Sequence, residues 1–205
     1  MTKRELLEVG KPILFNTEMV QAILNNRKTV TRRVCKEIGS YDFAWALDER
    51  PYFKNEEWSY ELQTAVDDSR IYSLKAPYQT GDILYVRETW LKADDGIHYR
   101  ADETTTSKEL RESYGYKWKP SIHMPKDLAR IFLKVKDVKI ERLQDIKDSW
   151  RFGEEGINEV HGFRSEMVHD FIKLWNSTIK KIDLDQYGWK ANPWVWVIEF
   201  ERVGV

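Results

Sequence analysis

A lone cysteine, Cys35, excludes an intramolecular disulfide and any cysteine-based metal cluster. No apolar run is long enough to cross a bilayer. The segment MTKRELLEVGK has no hydrophobic stretch of the kind a secretory signal needs. The expectation is a cytoplasmic protein that stays out of membranes. Charge of one sign is also missing, since 33 basic residues meet 34 acidic ones and the net charge is −1. A whole-molecule basic field is therefore absent, which argues against tight, nonspecific binding of long duplex DNA but leaves room for a local basic patch. Histidines are few, and His98, His161 and His169 have no metal-ligand spacing to a partner acid. No metal and no cofactor are expected.

What is present points to a globular chain. Its 205 residues are 41% apolar and 33% charged, enough for a real core without covalent staples. Nine tryptophans are the compositional outlier, more than a core of this size needs, so rings are available for stacking on a base or a sugar.

Along the chain, residues 1–11 read as a flexible tail and 12–205 as one domain with an aromatic-rich insertion at about 36–78. PILF (12–15) reads as a short buried strand. Asn16 or Thr17 can cap a helix whose stripe is Met19, Val20, Ile23 and Leu24, with Asn25-Asn26 ending it. TVTRRV (29–34) reads as a strand. The insertion calls for local structure, with a strand near WSYEL. ILYVRETW (83–90) alternates, placing Leu84, Val86, Glu88 and Trp90 on one face. After the Asp94-Asp95-Gly96 turn, IHYRA returns as a strand. A short helix is expected near 107–114, and WKPSIHMP (118–125) is irregular because of its prolines. RIFLKVKDVKIERL (130–143) is a long strand, bulged near Asp137. SEMVHDFIKLWNSTI (165–179) is a helix whose stripe from Met167 to Trp175 is core. NPWVWVIEFERV (192–203) closes as a strand, with Trp194 and Trp196 as core on one face. This order gives an α+β class, a small mixed β-barrel with helices packed around it.

Four segments, taken in order, resemble the ASCH domain family, whose fold is PUA-like. They are ILNNRKTVTRR (23–33), similar to a helix followed by G-x-K-T-x-T-x-R; QTGDILYVRETW (79–90), similar to a Gly-Asp turn entering a barrel strand; RLQDIKDSWRFGEEGI (142–157), with an acid before Gly-Ile; and PWVWVIEFERV. WKPSIHMP and YGWKANPW further resemble a subgroup common in bacteriophages and prophages. Asn26 stands where the family has Gly, a swap that a left-handed position tolerates. Lys147 stands where a capping Ser or Thr is usual, and Asp148 can replace that cap.

The resemblance implies a PUA-like (ASCH) barrel and a ligand that is a nucleoside, a nucleotide or single-stranded nucleic acid, with RNA as the expected partner. Some small members hydrolyse acetylated cytidine, and the residues that carry that chemistry fall here on Lys28, Thr31 and Glu155. Amide hydrolysis needs a nucleophile, a base and a cation near the oxyanion. Thr31 could supply the hydroxyl, Glu155 could shuttle protons, and Lys28 could be base or stabiliser. On a straight strand, however, residues three apart point to opposite faces and lie roughly 10 Å apart. Lys28 as a solvated helix-end cation, Thr31 as a plain strand residue, and Glu154 in place of Glu155 are the competing readings.

Arg32 and Arg33 are the expected phosphate contacts, unless one of them pairs with Glu88. A carboxylate at position 88, among apolar neighbours, is either ion-paired or functional. Trp90 is expected half in the core and half in a pocket wall. His123, between two prolines, is a structural or a binding residue. Three functions follow: a nucleoside-binding or RNA-binding module in a cationic cleft of the barrel, a hydrolase on N-acylated cytidine or a ribonuclease, and a phage accessory protein whose aromatic insertion docks on a partner.

Overall fold

The computed structural model describes residues 1–36, 52–54, 57–63, 69–146, 153–157 and 164–204, with the backbone alone for 52–54, 57–63, 69–73, 164 and 165. The class is α+β. The strands are β1 (Lys11–Leu14), β2 (Val30–Val34), β3 (Tyr52–Lys54), β4 (Glu57–Gln63), β5 (Ser69–Leu74), β6 (Ile83–Arg87), β7 (Trp90–Ala93), β8 (Gly96–Tyr99), β9 (Phe132–Arg142) and β10 (Trp194–Val203). The helices are α1 (Lys3–Val9), α2 (Thr17–Leu24), α3 (Thr105–Ser113), α4 (Arg164–Thr178) and α5 (Leu184–Tyr187). A five-stranded mixed sheet, ordered β1-β6-β9-β10-β2, forms the centre, beside a three-stranded sheet β3-β4-β5 and the hairpin β7-β8.

The main sheet is buried on both faces because its central strands are apolar at consecutive positions. In β10, Val195 and Val197 face the cluster that holds Met167, Phe171 and Trp175 of α4. Ile198 and Phe200 pack instead with Ile13, Phe15, Val20 and Ile23, which come from β1, its exit and α2. Trp196 is 2% exposed and packs beside Trp194, as the sequence suggested. Each such side chain contributes on the order of 1.5–3 kcal/mol by leaving water. The expected bulge is found: Glu199 opposes Asp137 and Phe200 opposes Val135, so Lys136 is the extra residue and the sheet bends there.

The bend curls the sheet without closing it. Among the described residues β1 and β2 are its two edges and share no ladder. A side chain joins them: Arg33 donates from Nη2 to the Leu14 carbonyl at 2.7 Å.

Three expectations are corrected. Residues 1–11 are not a frayed tail. Thr2 caps α1 in a reciprocal box with Glu5, and Leu6 is fully buried against Tyr85 and Phe132. The stretch 83–90 is not one strand. It breaks after Arg87 and resumes at Trp90, because Glu88 turns to pair with an arginine. The expected small mixed β-barrel is not found closed: among the described residues β1 and β2 remain the two edges of the main sheet. Other readings hold: Asn16 caps α2 by accepting from the Met19 amide at 2.8 Å, and Asn26 is left-handed at φ 54°. Within the insertion the backbone forms β3, β4 and β5, so WSYEL is a strand; residues 37–51, 55, 56 and 64–68 and the Asp148 cap lie outside the described residues. Among the described residues no helix is long and apolar enough to cross a membrane.

Candidate functional site

The end of α2 sets the geometry. Asn26 reverses the chain, and the Arg27 and Lys28 amides both donate to the Ala22 carbonyl. Lys28 then enters a bridge with Glu155, and the Thr29 amide donates to the Glu154 carbonyl at 2.9 Å. The 153–157 segment is therefore pinned just ahead of β2 by an isolated bridge. This bend brings Lys28 to Glu155, but among the described residues Thr31 forms no hydrogen bond with either.

The Glu155 carboxylate lies between two cations. Lys28 Nζ donates to Glu155 Oε2 at 2.8 Å, to the Glu155 carbonyl at 2.9 Å and to the Val30 carbonyl at 2.6 Å. All three of its protons have acceptors, and its side chain is 0% exposed. Arg32 donates to Glu155 Oε1 at 2.5 Å and to Glu141 Oε1 at 2.6 Å. Arg32 Nε has no partner among the described residues. Burial pushes the Lys28 ammonium below its ordinary pKa, aided by Arg33 and Arg32; the Glu155 carboxylate opposes this without reversing it. Burial also works against the Arg32 guanidinium, but Glu155 and Glu141 outweigh it and hold its pKa up.

Lys28 is thus no solvated helix-end cation, and Glu155, not Glu154, supplies the carboxylate. The cluster is not strongly cationic either. Two carboxylates match Lys28 and Arg32, and Arg33 is the additional charge. Thr31 and Arg33 share the face of β2 that looks toward the Phe15 cluster, since Thr31 lies opposite Ile198 in the register. Thr31 is 2% exposed. The Arg33 guanidinium stands 5.4 Å from the Phe15 ring centre, and Lys28 Nζ stands 5.9 Å from it.

No family model, no curated protein and no solved structure matches the chain.

The remaining candidates lie outside this cluster's contacts. Glu88 is 1% exposed, and its partner is Arg130, not Arg32 or Arg33. The contacts are 2.8 Å to Oε1 and 3.0 Å to Oε2, and Arg130 also reaches Asp102 at 2.5 Å. Sequence reasoning missed Arg130 because 42 positions separate it from Glu88. Burial lifts the Glu88 carboxyl above its usual range, against Arg130, which lowers it. Trp90 is 7% exposed, bridges to Lys119 and carries that ammonium 4.8 Å from its ring centre; it is core rather than half pocket wall. His123 is exposed, in a short turn whose neighbour Ile122 accepts from Arg87. Among the described residues no group of His, Cys, Asp or Glu converges as a metal-ligand set would.

The Glu88 pair carries a testable consequence. Arg130→Met is expected to cost about 2 kcal/mol in urea unfolding near neutral pH, because the carboxylate stays buried without its cation. A carboxyl with a raised folded pKa is penalised above that pKa and relieved below it. The loss should therefore shrink toward about pH 4. A loss that does not vary with pH would show that Glu88 is not the group left unpaired.

Proposed function

We propose that the chain is an ASCH-type, PUA-like domain of the cytoplasm that holds a nucleoside, or one nucleotide of a single RNA strand, against the inner face of its curled sheet. The observation that carries this reading is the meeting of Lys28 and Glu155, 127 positions apart, at the start of the strand that bears Thr31 and Arg33. Buried, oppositely charged groups with a perturbed pKa concentrate at functional sites. Phe15 is 2% exposed with two cations near its ring, so a base stacks on it only once those side chains move aside. The balanced charges favour a nucleoside over a polyphosphate, since Lys28 and Arg32 are already matched by carboxylates.

A second reading, hydrolysis of N-acylated cytidine, is favoured by one feature. Lys28 has a lowered pKa and sits in contact with a carboxylate, as an acid-base pair would. In that reaction the Thr31 hydroxyl adds to the acyl carbon while its proton passes to Glu155. Lys28 donates to the oxyanion after exchanging one of its present acceptors. The amine leaves with the proton, and water then cleaves the acyl ester.

Thr31→Val separates the chemistry from the fold. It keeps the side-chain volume and removes the hydroxyl. Incubation with N4-acetylcytidine, followed by chromatography, is expected to show turnover that falls by about tenfold or more in this variant, with the thermal midpoint nearly unchanged. Binding of cytidine and short RNA without turnover would retain the first reading and remove the second. If neither ligand binds at millimolar concentration, both readings fail.

A further inference from the structure

The hairpin β7-β8, helix α3 and the segment 116–118 enclose a groove of about 510 Å³. That volume lies within the range of small-molecule sites, roughly 300–1,000 Å³. The groove shares no residue with the Lys28–Glu155 cluster. Its walls carry four aromatic rings, Tyr99, Tyr114, Tyr116 and Trp118, with Leu91, Ile97 and Leu110 between them. Two of these residues are left open to solvent, Leu110 on α3 at 55% and Tyr114, the C-cap of α3, at 73% exposure, one helical turn apart.

The charge of the lining is one-sided. Asp94, Asp95, Asp102 and Glu103 contribute four carboxylates, against the single guanidinium of Arg111. Arg130, outside the lining, pairs with Asp102. Asp94 and Asp95 remain as surplus negative charge at the exposed hairpin turn. Asp94 accepts from the Tyr116 hydroxyl at 3.0 Å, and Asp95 meets His98 at 2.7 Å.

Arg111 shows what this surface accepts. Its guanidinium stands 5.7 Å from the Trp118 ring centre and donates to Glu103 at 2.7 Å and to the Tyr116 carbonyl at 3.3 Å. Arg130 repeats the arrangement on Tyr99, at 4.0 Å from that ring. Both are cations held between an aromatic face and a carboxylate, where the ring quadrupole and the anion act together.

We propose that this groove binds a small organic cation, an ammonium or amidinium group carried on an apolar or aromatic body. The body would lie against Leu110, Tyr114 and Tyr116, and the cationic end would point to Asp94 and Asp95. The same carboxylates repel phosphate, so a nucleotide or an RNA strand does not belong here.

Benzamidine, benzamide and benzoate share a ring and a size and differ in charge. Titration calorimetry of the full chain is expected to show benzamidine binding at millimolar concentration or below. Benzamide should bind about tenfold more weakly, and benzoate not measurably. Asp94→Asn combined with Asp95→Asn, and separately Tyr114→Ala, should each weaken benzamidine by about fivefold or more while the far-ultraviolet dichroism stays unchanged. All three positions are exposed, so loss of fold does not confuse the result. Equal affinity for benzamide, no benzamidine binding, or binding that ignores both variants would each overturn the proposal.

Discussion

Glu155→Gln is expected to lower the unfolding free energy by about 3–5 kcal/mol, the cost of breaking a buried ion pair from one side. The amide keeps the shape of the carboxylate but not its charge. Lys28, with a side chain 0% exposed, then has only carbonyl and amide oxygens for its charge. Arg32 keeps Glu141 at 2.6 Å, so the uncompensated charge falls mainly on Lys28. The pH dependence has a definite sign. A lysine whose folded pKa is depressed binds fewer protons folded than unfolded, between the folded value and the ordinary one. Stability therefore rises with pH across that window. In the variant, which lacks the carboxylate that opposed the depression, the window widens downward and the loss measured near neutral pH should shrink toward about pH 9.5. Urea unfolding at the two pH values measures this. Lys28→Met in the same chain should recover at least half of the loss, since the stranded charge is then gone. Additive effects of the two substitutions would mean that Lys28 and Glu155 do not act as a pair.

Much of the fold was legible because its period is simple. The run WVWVIEF reads as a strand with Trp194 and Trp196 as core on one face, and Met167, Phe171, Leu174 and Trp175 read as one face of a helix. Local chemistry gave the cap at Asn16 and the left-handed Asn26. The helix α1 was missed: residues 1–11 read as a tail, although Thr2-x-x-Glu5 is a capping box, because the short polar sequence hid the single buried Leu6. The break at Glu88 was missed as well, because alternation continues through it and only Arg130 explains it. In the candidate site, proximity of the Lys28 segment to Glu155 came from the resemblance alone; nothing local joins residues 127 positions apart. The pairing of Arg32 with both Glu155 and Glu141 could not be read for the same reason. The groove beside α3 was invisible as well. Its aromatic and acidic residues are scattered from 94 to 118, and only the hairpin and α3 bring them around one space.

Gly156→Ala is expected to cost about 3–4 kcal/mol, for two separable reasons. Gly156 holds φ at +86°, which strains any residue with a Cβ by about 1–2 kcal/mol. Its Cβ would also lie 2.8 Å from the Ala22 Cβ and 3.3 Å from the Lys28 Cβ. Neither neighbour is the far end of a flexible chain: Ala22 is fixed in α2, and Lys28 is fixed by its three acceptors. Overpacking of this kind adds about 1–3 kcal/mol. Gly81 provides the control, with φ +90° and nothing within 4 Å of an added Cβ. Gly81→Ala should therefore lose only the backbone part, about 1–2 kcal/mol. The difference between the two variants in chemical unfolding measures the contact between the 153–157 segment and the end of α2. Because that contact seats Glu155 against Lys28, Gly156→Ala should also weaken cytidine binding, whereas Gly81→Ala should leave it intact. Equal losses of stability would mean that the segment yields freely. The carboxylate would then not be held where a fixed charge at this site requires it.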